Sequence, residues 1–288
     1  MWKLFAGKKK SAKLTKQNHI IYMALITVGV LLIAAASIKL VAGERGYSSA
    51  REEYDELSGN YPDISSYFAS ATQEQLMQNG EDIGTAPGPG ADQLPSPESA
   101  LKTDNSPGAD EANPLAELYA INSDFIGWIS IGDVISYPIV QGSDNSYYLD
   151  RTFTKKKNPA GAIFMDSRNE LGFDEPVCIL YGHNMKDGSM FARLHDYQFK
   201  EFMDEHPIIT IVTLGGKTLT YRVFAARLTD ITNKAYELEY KTAAQAAKAL
   251  PKAPSDASSF LLLSTCWGAA GGDERFLVYA ALTRTSRN

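Results

Sequence analysis

The chain has 288 residues, of which 44 % are hydrophobic and 22 % charged, and its net charge is −6. This is the composition of a globular protein of one or two domains with an apolar segment added at the front. After residue 39, the chain keeps 21 basic residues against 34 acidic ones. Nucleic-acid binding depends on basic surfaces, so a nucleic-acid partner is excluded.

The N-terminal region predicts a retained membrane anchor. Residues 20–38 carry no charge, and the apolar run extends to residue 42, which suits a membrane-spanning helix of about 20 residues. A cleaved signal peptide fits less well, because the run is longer than an h-region and Val41-Ala42-Gly43 is a weak cleavage site. Six lysines and no acidic residue precede the run (Lys3, Lys8, Lys9, Lys10, Lys13 and Lys16). The positive-inside rule therefore predicts a cytoplasmic tail at 1–19, a single span at 20–42 and an extracellular remainder.

Two segments of low apolar content follow the predicted span. Residues 43–80 form a polar juxtamembrane segment with scattered aromatics, in which we expect helical turns but no chemistry. Residues 81–113 are rich in Pro, Gly, Ser, Asp and Ala, so they cannot form a core and predict a flexible linker with an end-to-end distance of about 30 Å. The remaining residues, 114–288, are predicted to be the catalytic domain.

That domain is predicted to be mainly β. Apolar periodicity indicates a helix at 114–128 and helical inserts at 189–205 and 242–250. The spacing of the other apolar residues indicates eight strands, and eight strands with few long helices predict a closed or nearly closed β barrel. The strands are expected at 128–131, 135–141, 160–166, 176–183, 208–213, 218–228, 260–266 and 276–283.

The stretch FLLLSTCWGAAGGDER, residues 260–275, carries the first candidate for chemistry. If its two strands pair as a hairpin, Cys266 and Arg275 lie side by side at one end. A positive charge beside a thiol favours the thiolate, so Cys266 is a candidate nucleophile. The alternative is that Cys266 is a small buried hydrophobic residue.

A candidate proton-transfer residue follows a second apolar strand. His183 stands at the exit of the strand 176–183, a common position for a general acid or base. A cysteine and a histidine distant in sequence can meet in the fold, so Cys266 and His183 form a nucleophile and base hypothesis. A disulfide between Cys178 and Cys266 is an alternative, but Cys178 lies within an apolar run and is expected to be a buried free thiol.

Other candidate sites are weaker. His195 and His206 flank the insert 189–205, but no metal-ligand spacing joins them to His183, so both are expected to be solvated helix residues and no metal site is predicted. The glycine pairs 215–216 and 271–272 do not open a helix after a strand, so they predict turns rather than phosphate loops.

Taken together, these motifs resemble class B sortases, the membrane-anchored cysteine transpeptidases of Gram-positive bacteria. The resemblance covers about residues 115–282 and includes INSDFIGWISI, QGSDNSYYL, AGAIFMDSRN, YGHNMKDGSMF and LSTC with the later arginine. It implies an eight-stranded sortase-type β barrel with N-terminal helices and a helix between the sixth and seventh strands. It places the family's catalytic residues on Cys266, His183 and Arg275, and its substrate contacts on Ser264, Thr265, Asn145, Leu149, Thr232 and Tyr236.

The resemblance also implies a function. A sortase cleaves the C-terminal sorting signal of secreted proteins after a threonine, forms a thioester with its cysteine, and transfers the protein to an amine of the cell-wall precursor, without a cofactor. Leu262 departs from the family motif TLxTC, which has threonine at this position, and the connection between Cys266 and Arg275 is short. The second departure leaves open how the second substrate enters.

Several other functions compete with this one. A Cys/His wall-peptide hydrolase uses the same pair with water as acceptor, and a pilin-polymerising sortase would use a different amine. An L,D-transpeptidase would have His and Cys close together in a Ser-His-Gly-Cys string, which this sequence lacks. A surface adhesin would explain the anchor and linker but not Cys266 near Arg275.

Overall fold

The structure is a computed structural model that describes residues 3–61, 64, 114–268 and 272–287. It divides into two compact units, Met1–Ser48 and Ser49–Asn288. The predicted linker, 81–113, lies outside the described residues, as does most of the second half of the predicted juxtamembrane segment. Their boundaries therefore stay predictions.

The first helix, α1, spans Lys3–Asn60. Within it, Ile21–Ile38 has a mean hydropathy of 2.4 over 18 residues and is long and apolar enough to cross a membrane. This stretch lies inside the predicted span at 20–42. It is a candidate membrane helix by length and composition.

The last turns of α1, residues 49–60, pack against the barrel within the second unit. Ala50, Tyr54 and Leu57 are buried and recur at helical spacing, as expected for a helix with one apolar face. The ring of Tyr54 meets that of Tyr137 edge-on at 5.2 Å. Residues 49–60 lie outside the predicted catalytic domain, 114–288, so these contacts give the segment after the span a packing role that its sequence did not reveal.

Eight strands form a closed barrel in the order β1-β2-β3-β4-β7-β8-β6-β5, which confirms the predicted architecture. β2 pairs with β3, and β4 with β7, in parallel, whereas the other neighbours are antiparallel. The strands are β1 Phe125–Ile131, β2 Ile135–Val140, β3 Ile163–Met165, β4 Val177–Tyr181, β5 Ile208–Thr213, β6 Lys217–Asp230, β7 Phe260–Cys266 and β8 Glu274–Arg287.

The remaining described helices are short. They are α2 Pro114–Ile121, the 3-10 helix Tyr147–Leu149, the 3-10 helix Ala192–Gln198, α3 Lys200–Glu205, the 3-10 helix Lys234–Tyr236 and α4 Ala243–Ala249. α4 lies between β6 and β7, as predicted, and Thr242 caps its first turn by accepting a hydrogen bond from the Gln245 amide.

The helix α4 explains why the first four residues of β7, 260–263, are all apolar. Ala246 and Leu250 belong to the same buried cluster as Phe260, Leu262 and Leu277, while all residues of β7 before Cys266 are buried. A strand covered on both faces loses the alternation of polar and apolar residues. The apolar run is therefore explained by its contacts, which are with the barrel interior on one face and with α4 and its flanking turns on the other.

Two predicted helices are wrong in extent. The helix expected at 114–128 ends at Ile121, because Asn122 caps the turn by accepting from the Asp124 amide and donating to Phe153 O. Residues after Asp124 then form β1, whose pairing with two neighbouring strands outweighs local helix preference. The insert 189–205 is not one helix but a 3-10 helix and α3, separated by Phe199 in an extended conformation.

Candidate active site

Three neighbouring strands bring Cys266, His183 and Arg275 to one end of the barrel. Cys266 is the last residue of β7 and is paired with Arg275 of β8, the final pair of that ladder. In the parallel pair β4/β7, Tyr181 stands opposite Ser264. His183 and Cys266 each lie two residues further along the sequence than this pair. The register of β4 and β7 therefore brings them to the same end of the barrel, which accounts for the predicted juxtaposition.

Glycine is required immediately before His183. A Cβ atom on Gly182 would lie 2.5 Å from Ile163 Cδ1 and 2.6 Å from Phe191 Cγ. The absence of a side chain therefore lets Phe191 pack onto the chain next to the histidine, and the Phe191 amide donates to His183 O at 2.9 Å. The Gly-His order of the YGHN motif has a steric reason at this position.

The ring of His183 is oriented by a backbone carbonyl. Nε2 lies 2.6 Å from the oxygen of Leu149, at the end of the first 3-10 helix. A carbonyl oxygen only accepts hydrogen bonds, so Nε2 carries a proton and Nδ1 is the nitrogen left for exchange with another partner. Leu149, predicted to contact substrate, thus also fixes the tautomer of the histidine.

The guanidinium of Arg275 is held by two backbone carbonyls that closely precede it in the sequence, those of Gly272 and Glu274. Its Nη1 donates to Gly272 O at 2.6 Å and to Glu274 O at 2.9 Å. Glu274 O also accepts the amide of Trp267 at 3.0 Å. Within the part of the chain that the structure describes, only Nη1 of the guanidinium is bonded to the backbone, so the rest of the planar fork can reach a negatively charged oxygen beside Cys266.

A cavity of about 350 Å³ opens over these residues and is largely apolar. Of the predicted substrate-contact residues, it is lined by Asn145, Leu149, Tyr236, Ser264 and Thr265 together with Cys266, His183 and Arg275. Thr232 is not among the described residues that line the cavity. Its amide and hydroxyl donate hydrogen bonds to Asp230, and the neighbouring residue Ile231 lines the cavity instead.

The lining residues that sequence reasoning missed are mainly apolar: Phe164, Tyr181, Gly182 and Ile231. Tyr181 stacks with Tyr236 at 6.4 Å and 8° and packs against Phe164 at 5.2 Å. Tyr181 is the last residue of β4 and lies two residues before His183, so the period of two was a usable signal for it. No comparable signal marked Phe164 or Ile231.

An ion pair between the buried carboxylate of Asp166 and the exposed side chain of Arg168 supports this aromatic wall. Arg168 donates to Asp166 through Nε at 2.9 Å and Nη2 at 2.8 Å, and Nη2 also donates to Tyr236 O at 3.0 Å. The Tyr181 hydroxyl donates to Asp166 at 2.8 Å. Burial alone would raise the pKa of Asp166, but these hydrogen bonds outweigh it and lower the pKa to about 2. The carboxylate therefore stays charged and holds both tyrosine segments.

The expectation that His195 is solvated is wrong. Its ring is half-buried, Nε2 donates to Cys266 O at 3.0 Å, and the ring lies 4.5 Å from that of Trp267. Burial lowers the pKa of His195, which keeps the ring neutral at pH 7. His206 is also half-buried, at the end of α3, with its ring 4.5 Å from Phe202. Within the described parts of the chain, no group of three or more His, Cys, Asp or Glu residues is arranged to hold a metal ion.

Both cysteines are free, so the alternative of a Cys178–Cys266 disulfide is not realised. Cys178 is buried in β4, and burial raises its pKa to about 12, which makes it a poor nucleophile. Cys266 is partly exposed at the cavity. The accessible thiol is thus the one at the strand end, beside Arg275.

A model of the sortase domain family matches residues 130–283, just over half of the chain. Among curated proteins, sortase B of Listeria monocytogenes is 49 % identical over 126 residues, covering 43 % of this chain and 50 % of that protein. The alignments span about half the length of the curated relatives that the chain matches.

Solved structures agree with this result. The X-ray structure of Clostridium perfringens sortase B has 28 % identity and a TM-score of 0.53, over 59 % of this chain and 99 % of that chain. A Staphylococcus aureus sortase B–substrate complex has 30 % identity and a TM-score of 0.53, over 59 % of this chain and 85 % of that chain. The family match, the relatives and the eight-stranded barrel lead to one conclusion: the chain belongs to the sortase family, and within it to class B.

Proposed function

We propose that this protein is a cysteine transpeptidase that cleaves the C-terminal sorting signal of secreted proteins after a threonine and joins the new end to an amine of the cell-wall precursor. The observation that carries the proposal is the meeting of Cys266, His183 and Arg275 at the ends of three adjacent strands, beside one apolar cavity. The cavity's aromatic and aliphatic wall suits an extended peptide with apolar side chains.

The first half-reaction forms a thioester. The Cys266 thiolate attacks the threonine carbonyl carbon, so a C–S bond forms and the carbonyl oxygen gains negative charge. Arg275 donates hydrogen bonds to that oxygen; loss of comparable donors in other enzymes costs about 3 to 4 kcal/mol. The tetrahedral species then collapses, the C–N bond breaks, and the departing amine takes a proton from His183.

The second half-reaction transfers the acyl group. The acceptor amine attacks the thioester carbonyl and gives its proton to His183, a C–N bond forms, and the C–S bond breaks to restore the thiolate. Neither half-reaction needs an external oxidant or a cofactor. The apolar stretch Ile21–Ile38 supports a membrane-anchored enzyme, and the lysines that precede it support an extracellular catalytic domain.

The test is incubation of the purified protein with a library of labelled sorting peptides, with and without a supplied amine. Transpeptidation predicts an amide product that depends on the amine and disappears in Cys266→Ala. A hydrolytic product formed in the same yield with and without the amine would instead identify a wall-peptide hydrolase. Efficient transfer only to a lysine of a pilin subunit would identify a polymerising sortase.

A further inference from the structure

The ladder that aligns Cys266 with Arg275 ends at that pair. Trp267 lies just outside β7, and β8 begins at Glu274. The ends of hairpins open more readily than their centres, because each terminal pair has a neighbour on one side only. The two residues on which the proposed chemistry depends therefore form one of the two terminal pairs of this ladder.

The peptide bond between Cys266 and Trp267 is nevertheless tied at both of its polar atoms. The Trp267 amide donates to Glu274 O, and Cys266 O accepts from His195 Nε2 at 3.0 Å. Glu274 O is also one of the two anchors of Arg275. A shift of this single peptide would consequently move the thiol-bearing residue and alter the support of the guanidinium.

His195 reaches this peptide from a different part of the chain. It lies in the 3-10 helix Ala192–Gln198, and its ring packs against Trp267 at 4.5 Å and Phe276 at 5.4 Å. Trp267 and Phe276, one on each side of the Cys266–Arg275 pair, themselves stack at 5.5 Å and 24°. The neutral imidazole thus combines one directed hydrogen bond with a ring contact to both arms of the hairpin.

We propose that His195 is a positioning residue, which fixes the peptide after the nucleophile and thereby keeps Cys266 and Arg275 aligned for acyl transfer. The inference rests on the proposed function for its kinetic consequence. It assigns no proton transfer to His195, whose contact with Cys266 is to the backbone carbonyl. Removal of the donor should loosen the hairpin end and slow chemistry without changing how the sorting peptide binds.

Two variants of His195 separate the donor from the ring, and a third variant is the control. His195→Phe keeps an aromatic ring against Trp267 and removes the hydrogen bond, whereas His195→Gln restores an N–H donor without the ring. His206→Gln is the matched control, because His206 flanks the same insert but packs against Phe202 rather than the hairpin. All three are compared in the full-length protein by thermal unfolding before any rate is interpreted.

The first readout needs no substrate. Hydrogen exchange of the Trp267 amide, measured by NMR, should be about tenfold faster in His195→Phe than in the wild type, as expected for loss of one hydrogen bond. His195→Gln should recover most of the protection, and His206→Gln should match the wild type. Unchanged Trp267 exchange in His195→Phe would overturn the positioning role, whether or not the protein proves to be a transpeptidase.

The second readout is steady-state transfer of a cleaved sorting peptide to a supplied amine. His195→Phe should lose about tenfold in kcat with KM within twofold, and His195→Gln should regain most of kcat. A loss of the same size in both variants, in proportion to their thermal destabilisation, would show that His195 only stabilises the fold and would overturn the inference. Failure of the wild type to transfer any peptide would count against the proposed function, while the exchange result would stand independently.

Discussion

The hydroxyl of Tyr54 donates a 2.7 Å hydrogen bond to the carbonyl of Gly161, 107 residues later in the chain. Gly161 has φ +61°, and a Cβ atom there would lie 3.0 Å from Leu149 O and 3.1 Å from His183 Cδ2. The Leu149 carbonyl in turn orients His183. The end of α1 is therefore bonded to a glycine whose lack of a side chain leaves room for the Leu149 carbonyl and the His183 ring.

This relationship predicts that residues 49–60 belong to the folded catalytic unit. A protein that begins at residue 49 should have the same unfolding midpoint and slope in urea as this unit has in the whole chain. A protein that begins at residue 114 should lose several kcal/mol, at about 1.5 to 3 kcal/mol for each large apolar side chain whose burial is removed. Equal unfolding midpoints and slopes for the two truncated proteins would contradict the assignment.

A finer test uses Tyr54→Phe, which keeps the ring against Tyr137 and removes the hydroxyl. That hydroxyl also accepts from the Phe153 amide at 3.2 Å, so the variant leaves two buried backbone groups without this partner. We expect a loss of about 1 to 3 kcal/mol in unfolding free energy. Tyr47→Phe is the control, and a loss of equal size there would indicate a non-specific effect.

Arg275→Lys is predicted to separate charge from geometry. Lysine keeps the positive charge but cannot bond the turn carbonyls and an oxyanion at once with a planar fork. Turnover should fall on the order of a hundredfold, while iodoacetamide alkylation of Cys266 at a fixed pH stays near the wild-type rate. Near-full turnover of Arg275→Lys would falsify the oxyanion role, and a matching fall in alkylation would assign Arg275 to thiolate formation.

Cys178→Ala is predicted to affect stability and not chemistry. The side chain is buried in β4, so its removal should cost about 1 to 2 kcal/mol through a small cavity. Because burial raises the Cys178 pKa to about 12, thiol titration of the folded protein should find one fast group, and that group should persist in the variant. Loss of the fast group in Cys178→Ala would contradict the assignment.

Asp166 predicts a specific acid sensitivity. Its pKa in the fold is about 2, below its ordinary value of 3.8. A lowered pKa means that the stabilisation is complete above about pH 4 and is lost as the pH falls towards 2. Wild-type unfolding free energy should therefore drop over this window by about 2 kcal/mol more than that of Asp166→Asn. Parallel pH profiles for the two proteins would show that Asp166 is not the responsible group.

The sequence predicted those features that local pattern and register determine. Alternating and continuous apolar runs located every strand, and the hairpin pattern of residues 260–282 placed Cys266 beside Arg275. The addition of His183 to this pair was a hypothesis from the residues, which the resemblance to class B sortases supported. The continuous run of β7 was correctly predicted as a buried strand, although the covering by α4 could not be read from it.

The features that the sequence did not predict depend on contacts between distant segments. His195 is 71 residues from the carbonyl it binds, and its helical neighbourhood is typical of a solvated surface. Tyr54 lies in a polar segment with no apolar pattern strong enough to indicate docking. The helix expected beyond Ile121 failed for the same reason, since its apolar residues satisfy a helical period but are required by two neighbouring strands.

The central claim is that Cys266 carries the acyl group between the sorting signal and an amine. Intact-mass spectrometry of the wild-type protein, quenched in acid after mixing with a cleavable sorting peptide, should show an adduct equal to the peptide's N-terminal part through threonine. The adduct should map to Cys266, and hydroxylamine should release it as a hydroxamate, because an amine attacks a thioester. Cys266→Ala should form neither adduct nor hydroxamate, whereas Cys178→Ala should form both. An adduct on another residue, or peptide cleavage that persists in Cys266→Ala, would contradict the account.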